Sequence, residues 1–342
     1  MFKYKILYLF TIMLIFVSFT KAQSISKSGT TVASFLEIGV GATALGRGSA
    51  FVSIANDASS LYWNVSGIAN VKKYQFNVSH TNWIADTKFD FAGLVIPLAD
   101  FGTIGLSFTS LSMSDMKVRT VEMPEGTGEF FSSGDISIGL SYARKLTDRF
   151  LIGLTAKYIQ QSIWHMHAQG FAVDFGVLFR TDLFNGMIIG AEIRNFGTPI
   201  TMSGRDSRYF IRIDPSKQGS NDQIPTNIQM DSWELPLAIQ LGISTDVIKT
   251  NDYVLNIAVD AIHPNNNYES INLGTEMMYN KFLFLRAGYR SLLLKDGEGG
   301  LSFGFGITSE PLFSNSLVKF DYAFVNFGRL KNIHSFTVNI SF

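Results

Sequence analysis

The sequence predicts an all-β fold: a transmembrane, up-and-down antiparallel β-barrel of about 14 strands with a short, partly helical N-terminal plug. Three observations predict it. Charged residues make up 16% of the chain and aromatics 13%, whereas soluble domains carry about a quarter charged residues. From residue 70 onward, segments of 10 to 14 residues alternate apolar and polar side chains, the period of a strand with two unlike faces. The connections between them alternate short and long, as in barrels with short periplasmic turns and longer outer loops.

The chain opens with Lys3 and Lys5, then an apolar run over residues 6–19 broken only by Thr11 and Ser18, then Thr20, Lys21 and Ala22. A basic start, an apolar stretch and a small residue form a secretory signal, so residues 1–22 are expected to be a signal peptide cleaved after Ala22. The run is short for a spanning helix of about 20 residues. No later apolar run approaches its length, which excludes a helical membrane protein.

Residues 23–70 are expected to form the plug. A short helical turn is expected over 34–38, followed by a small-residue stretch over 39–52. The segment is too polar and too rich in glycine for a barrel strand, and glycine permits close backbone packing.

The barrel is expected over residues 71–342. Strands are expected to begin near Lys72, Thr87, Gly102, Gly134, Arg149, Ala168, Met187, Leu235, Asp252, Tyr268, Phe282, Gly299, Ser316 and Asn332. Phe171, Val173, Phe175, Val177 and Phe179 show the alternation, as do Phe336, Val338, Ile340 and Phe342 at the end. The opposite face carries Lys157, Asp174, Arg180, Glu192, Arg194, Asp260, Glu276, Arg286, Arg290, Lys319 and Asp321. In a barrel these would point inward and pair across the lumen. The long connections, 114–133 and 197–234, fall on the same side.

The plug carries the most recognisable pattern. A first block holds Gly41, Ala42, Leu45, Gly46, Gly48, Ala50 and Phe51, and a second holds Asp57, Ala58, Tyr62, Trp63, Asn64 and Gly67. Together they resemble the signature of the PorV/PorQ family of outer-membrane proteins, a branch of the FadL-like barrels. Val65 stands where many members have proline. Further matches are "YARKLTDRF" at 142–150, "IRNFGTPI" from Ile193 and "LRAGYR" from Leu285. The resemblance implies a fourteen-stranded outer-membrane barrel with its N-terminal segment in the lumen. It also implies a role in type IX secretion or surface attachment, exercised through protein partners in the outer-membrane lipid.

Other chemistry finds little support. Formal net charge is +0, which gives no basic surface for nucleic acid, and Cys is 0, which excludes disulfides and thiolate chemistry. The G-x-S-x-G run at 300–304 falls inside an alternating segment, whereas a nucleophile elbow needs a strand, a turn and a helix. His165 and His167 would share a face of one strand, but no third metal ligand is evident. The glycines at 39, 41, 46 and 48 lack the Lys-Ser/Thr of a phosphate loop. The expectation is therefore no enzyme, no cofactor and no metal. Two functions stay open: a secretion or attachment component, and a FadL-like channel with a hydrophobic ligand in the lumen. Arg205, Arg208, Tyr209 and Arg212 in the longest loop are the candidate partner-binding residues.

Overall fold

A computed structural model describes residues 28–214, 216–219, 221–294, 297–309 and 316–342. The expected signal peptide, residues 1–22, lies outside the described residues. Fourteen strands form a closed wall: β1 (Gln75–Asn82), β2 (Lys88–Pro97), β3 (Thr103–Ser112), β4 (Ser133–Lys145), β5 (Phe150–Ile163), β6 (Met166–Arg180), β7 (Ile188–Gly197), β8 (Ala238–Lys249), β9 (Tyr253–Pro264), β10 (Ser270–Tyr279), β11 (Leu283–Leu292), β12 (Leu301–Thr308), β13 (Leu317–Asn326) and β14 (Asn332–Ser341). Each starts within three residues of its expected start. Every strand pairs antiparallel with its chain neighbours, and β14 closes onto β1 with Phe76 opposite Ile340 and His80 opposite Phe336. Closure leaves no unpaired edge, which a bilayer would penalise.

The alternation sets the two faces of the wall. On β6, Phe171 is 67% exposed while Asp174 is 1% exposed. Side chains that point outward are mostly apolar, and those that point inward are mostly small or polar. Inner hydroxyls pair across strands, with Ser141 Oγ 2.8 Å from Thr155 Oγ1 and Thr81 Oγ1 2.8 Å from Ser335 Oγ. One strand departs from the rule. Phe89, Phe91 and Val95 of β2 point inward and are buried, while Lys88 and Asp90 point outward.

At one end the connections are short, including 98–102, 146–149 and 250–252. Tyr74 and Phe342 stack there at the closure seam, 5.9 Å apart. The two long connections lie at the other end, as expected. The longer one is not structureless: Ile200–Thr201 pairs with Ser232–Trp233, and Arg208–Ile211 pairs with Ile224–Asn227.

Residues 28–71 run down the inside of the wall. They begin at the long-loop end, where the Val32 N–H donates to Glu234 O at 3.0 Å. They include a 3₁₀ turn at Ser34–Glu37, the short helices α1 (Ala42–Gly46) and α2 (Ser60–Trp63), and a 3₁₀ turn at Val65–Asn70. They leave at the short-turn end, directly into β1. Phe35, Leu36, Phe51, Leu61, Trp63 and Ile68 form one buried cluster with Phe89, Phe91 and Ile159 of the wall. That contact explains the inversion of β2, whose inner face is apolar where the segment presses against it.

The fit depends on missing side chains. A Cβ on Gly288 of β11 would lie 2.2 Å from the backbone of Arg47 and Gly48. Gly288→Val should therefore force the internal segment off its seat, costing about 3 kcal/mol by overpacking. We expect a lower denaturant midpoint with retained β-sheet circular dichroism, whereas Gly134→Ala, whose added Cβ meets only ordinary contact at 3.6 Å, should leave the midpoint unchanged.

Candidate functional site

The internal segment contains little regular secondary structure, so much of its backbone must find partners elsewhere. The wall supplies several of them. Asp260 Oδ2 on β9 accepts from the N–H groups of Phe51 at 2.7 Å and Val52 at 2.9 Å. Ser302 Oγ on β12 accepts from Gly48 N at 2.9 Å, and Thr337 Oγ1 on β14 accepts from Ala42 N at 2.8 Å. Gln161 Oε1 on β5 accepts from Ala33 N at 3.0 Å.

The structure brings the motif residues of the two blocks together in this segment. Gly41 is the N-cap of α1, and Leu45 and Gly46 are buried within it. Gly48 adopts φ +63, and a Cβ there would meet Leu273 O and Tyr289 N at 2.6 Å, so only glycine fits. Asp57 Oδ1 accepts from Ser59 N at 2.9 Å and from Ser59 Oγ at 2.5 Å, fixing the entry to α2. Trp63 packs edge-on against Phe51 and Tyr62, and its Nε1 donates to Val40 O at 2.8 Å. The Tyr62 hydroxyl donates to Leu36 O at 3.1 Å. Asn64 is fully buried. Its Nδ2 donates to Val52 O and to Val177 O of β6, each at 3.0 Å, while its Oδ1 accepts from Ser66 N and Ser66 Oγ. Gly67 sits where a Cβ would meet Ala55 O at 2.3 Å.

The inward charges do more than pair across the lumen. Arg47, 2% exposed, reaches from the internal segment to Glu276 of β10 at 3.4 Å and to Asn256 Oδ1 of β9. Glu276 also binds Arg286 Nε at 2.6 Å, and Arg286 Nη1 binds Asp321 at 2.7 Å. Four charges from the segment, β10, β11 and β13 thus form one network. On the other side, Lys157 Nζ binds Asp174 at 2.5 Å. Glu37 binds Asn266 at 3.2 Å, and burial pushes its carboxyl above the usual carboxylate range.

Two features escape a strict period of two. In β7, Asn195 adopts φ +59 and bulges, so Arg194 and Asn195 both face inward. Its N–H donates to Asp174 Oδ1 at 2.8 Å. Arg194 then lies over the Tyr62 ring at 4.7 Å and the Trp63 ring at 5.8 Å. In β11, Ser291 repeats the arrangement with φ +59, donating its N–H to Asn272 Oδ1 at 2.8 Å. The signal for the first was present: apolar Ile193 and Phe196 stand three apart around an adjacent polar pair.

The long loop separates its four candidate residues. Arg205 is tied to the wall, its Nη2 2.8 Å from His165 Nε2, while Asp206 binds His165 Nδ1 at 2.9 Å. Arg212 Nη2 donates to Lys217 O at 2.8 Å within the loop. Arg208 and Tyr209 lie on the projecting hairpin, where Tyr209 is 61% exposed beside exposed Phe210 and Ile213. Below the loop, Val32, Ala168, Ile200, Met202, Met230 and Trp233 help to line a mouth pocket of about 280 Å³.

The remaining motifs do not assemble into reactive centres. Ser302 lies inside β12 and bonds to the internal segment. His165 lies in the turn between β5 and β6 rather than on a strand face with His167, and it is occupied by Asp206 and Arg205. The turn explains the difference from expectation, because it breaks the alternation that would align the two rings. Among the described residues, no group of three or more His, Asp or Glu side chains is placed to hold a metal ion.

A family model described as "Type IX secretion system protein PorV" matches residues 20–231. Solved structures of similar fold include the toluene transporter TodX of Pseudomonas putida, with a TM-score of 0.55 and 15% identity, covering 89% of this chain and 97% of that one. The toluene transporter TbuX of Ralstonia pickettii follows with 0.53 and 10%, covering 89% and 97%. The monoaromatic hydrocarbon channel CymD gives 0.55 and 13%, covering 89% and 96%. At these identities the likeness is one of fold. No curated protein matches the chain.

Removing the Arg47 guanidinium breaks the network at its only member from the internal segment. Arg47→Ala should cost roughly 3 kcal/mol, as the loss of one partner from a buried ion pair does. Protease added to purified protein should then cut within residues 39–70 at a concentration that leaves the parent intact. Equal resistance of the two proteins would count against the electrostatic lock.

Proposed function

The chain belongs to the PorV family of type IX secretion system proteins, and on that premise we propose that it is a non-enzymatic outer-membrane barrel acting in protein secretion or surface attachment through protein partners. It would be made as a precursor, lose residues 1–22, and insert with residues 23–70 as a plug and 71–342 as the wall. The observation that carries the reading is the pairing of a filled lumen with a projecting, exposed outer hairpin. The internal segment is locked to the wall by Asp260, Ser302, Thr337 and the Arg47 network. The projecting hairpin offers Arg208, Tyr209 and Phe210 to a partner, and an aromatic and arginine mixture is what protein interfaces favour.

A second reading is uptake of hydrophobic small molecules. The mouth pocket favours it, since a ligand would rest against Met202, Met230 and Trp233, although Gln161, Gln229 and Asp231 also line it. Two features weigh against it. The lumen below carries Lys157, Asp174, Glu192 and Arg194, all buried. The bulge between β6 and β7, where a side window could form, is filled by Asp174 and Asn195.

Deleting the gene should leave type IX cargo in the periplasm and strip it from the cell surface, measured by fractionation and surface proteomics. Replacing residues 205–214 by a Gly/Ser linker should reproduce that loss while the barrel still assembles. Normal cargo export combined with lost growth on hydrophobic substrates would replace the first reading by the second.

A further inference from the structure

The wall is uneven at its short-turn rim. β1 begins at Gln75, opposite Val95 of β2, but β2 runs on through Ile96 to Pro97, which pairs with Thr103 of β3. The overhang stands beside the last residues of the internal segment as it leaves the lumen. The step leaves a cavity of about 690 Å³, within the range of about 300–1,000 Å³ common to small-ligand sites. Four cations line it: Lys72 and Lys73 from the segment, and Arg144 and Lys145 from the end of β4. Asp100, in the turn between β2 and β3, is the one acidic side chain among the described lining residues. Counting the carboxylate on Phe342 as well still leaves two cations in excess.

The excess is local, because the whole chain has 28 basic and 28 acidic residues. Elsewhere on the same rim the chain answers its own cations. Arg149 binds Asp182 at 2.5 Å, and Lys249 binds Asp246 at 3.5 Å. Lys72, Arg144 and Lys145 form no such pair among the described residues. Aromatic side chains set the height of the cavity. Tyr74 and Phe342 stack at its edge, and Tyr142 points outward next to Gly102 of the lining, its hydroxyl donating to Phe101 O at 2.6 Å. Exposed aromatics near strand ends mark the plane where hydrocarbon meets headgroups. Above that plane the outward side chains are apolar, with Phe76 on β1, Ile104 on β3 and Ile340 on β14.

We propose that this notch binds the headgroup of an anionic phospholipid from the periplasmic leaflet, with the acyl chains lying on the apolar wall above it. Clustered Lys and Arg at a membrane surface attract lipid phosphates. The cavity puts such a cluster at headgroup height, and the wall beside it offers the tails a surface that a soluble phosphate or an acidic peptide would leave unused. The proposal rests on the membrane placement above, not on the secretion assignment.

Barrels purified in a neutral detergent are offered equal amounts of phosphatidylglycerol and phosphatidylcholine with identical chains, and retained lipid is counted by native mass spectrometry. The proposal expects one phosphatidylglycerol held per barrel, several-fold more often than phosphatidylcholine. The triple variant Lys72→Gln, Arg144→Gln, Lys145→Gln should lose that preference. Lys281→Gln, exposed in another short turn of the same rim, should keep it. Equal retention of the two lipids by the parent would overturn the proposal without appeal to any variant. So would an undiminished preference in the triple variant. Glycerophosphoglycerol, the same headgroup without tails, should leave the lipid in place when added at equal concentration. Displacement would make the notch a site for soluble phosphates and overturn the proposal too. A chain that stays dispersed in buffer without detergent would instead remove the membrane placement itself, and the proposal with it.

Discussion

A segment with little helix and no barrel strand lies inside a closed wall, and its backbone polar groups must still be bonded. That constraint organises the protein. Five wall side chains from five strands (Gln161, Asp260, Ser302, Thr337 and, through its network, Glu276) reach inward to the segment. Asn64 returns the service by donating to the wall carbonyl of Val177. Where no polar partner is needed the wall thins instead, and Gly288 lets backbone meet backbone. The polar lining is thus half of an internal interface, and its charges hold the segment in place.

Much of this was legible in the sequence. The period of two and the turn spacing locate every strand of the wall to within three residues, because closure makes each strand answer to the same inside–outside rule. The motif residues from Gly41 to Gly67 also stand out, since a stretch with neither strand nor helix period needs another reason for its glycines and aromatics. What the sequence hid depends on partners far along the chain. Nothing near Asp260 says that it holds Phe51 and Val52. The inversion of β2, with Phe91 inside and Asp90 outside, makes sense only once Leu61 and Ile68 are known to lie behind that part of the wall. His165 and His167 misled because a turn, and not a strand, holds the first of them.

The two bulges have a common logic. In each, an Asx side chain on the preceding strand, Asp174 or Asn272, bonds the N–H of a residue at positive φ. In each, the bulged residue, Asn195 or Ser291, adds a second inward position directly after an arginine that alternation already turns inward, Arg194 or Arg290. Arg194 then covers Tyr62 and Trp63, which ties the irregularity of the wall to the second motif block. Both bulges lie toward the outer mouth, near the loops through which partners are proposed to act.

The internal segment runs straight into β1, and the wall closes where β1 meets the final strand, ending in the stack of Tyr74 on Phe342. Connectivity of this kind dictates a chronology. The first strand cannot find its last neighbour until synthesis and export are complete, so the seam is the final event of assembly. The internal segment is joined to the first strand, so it is present beside the wall throughout that closure. A segment that misfits loosens within a wall whose own ladder of strand pairs holds it shut.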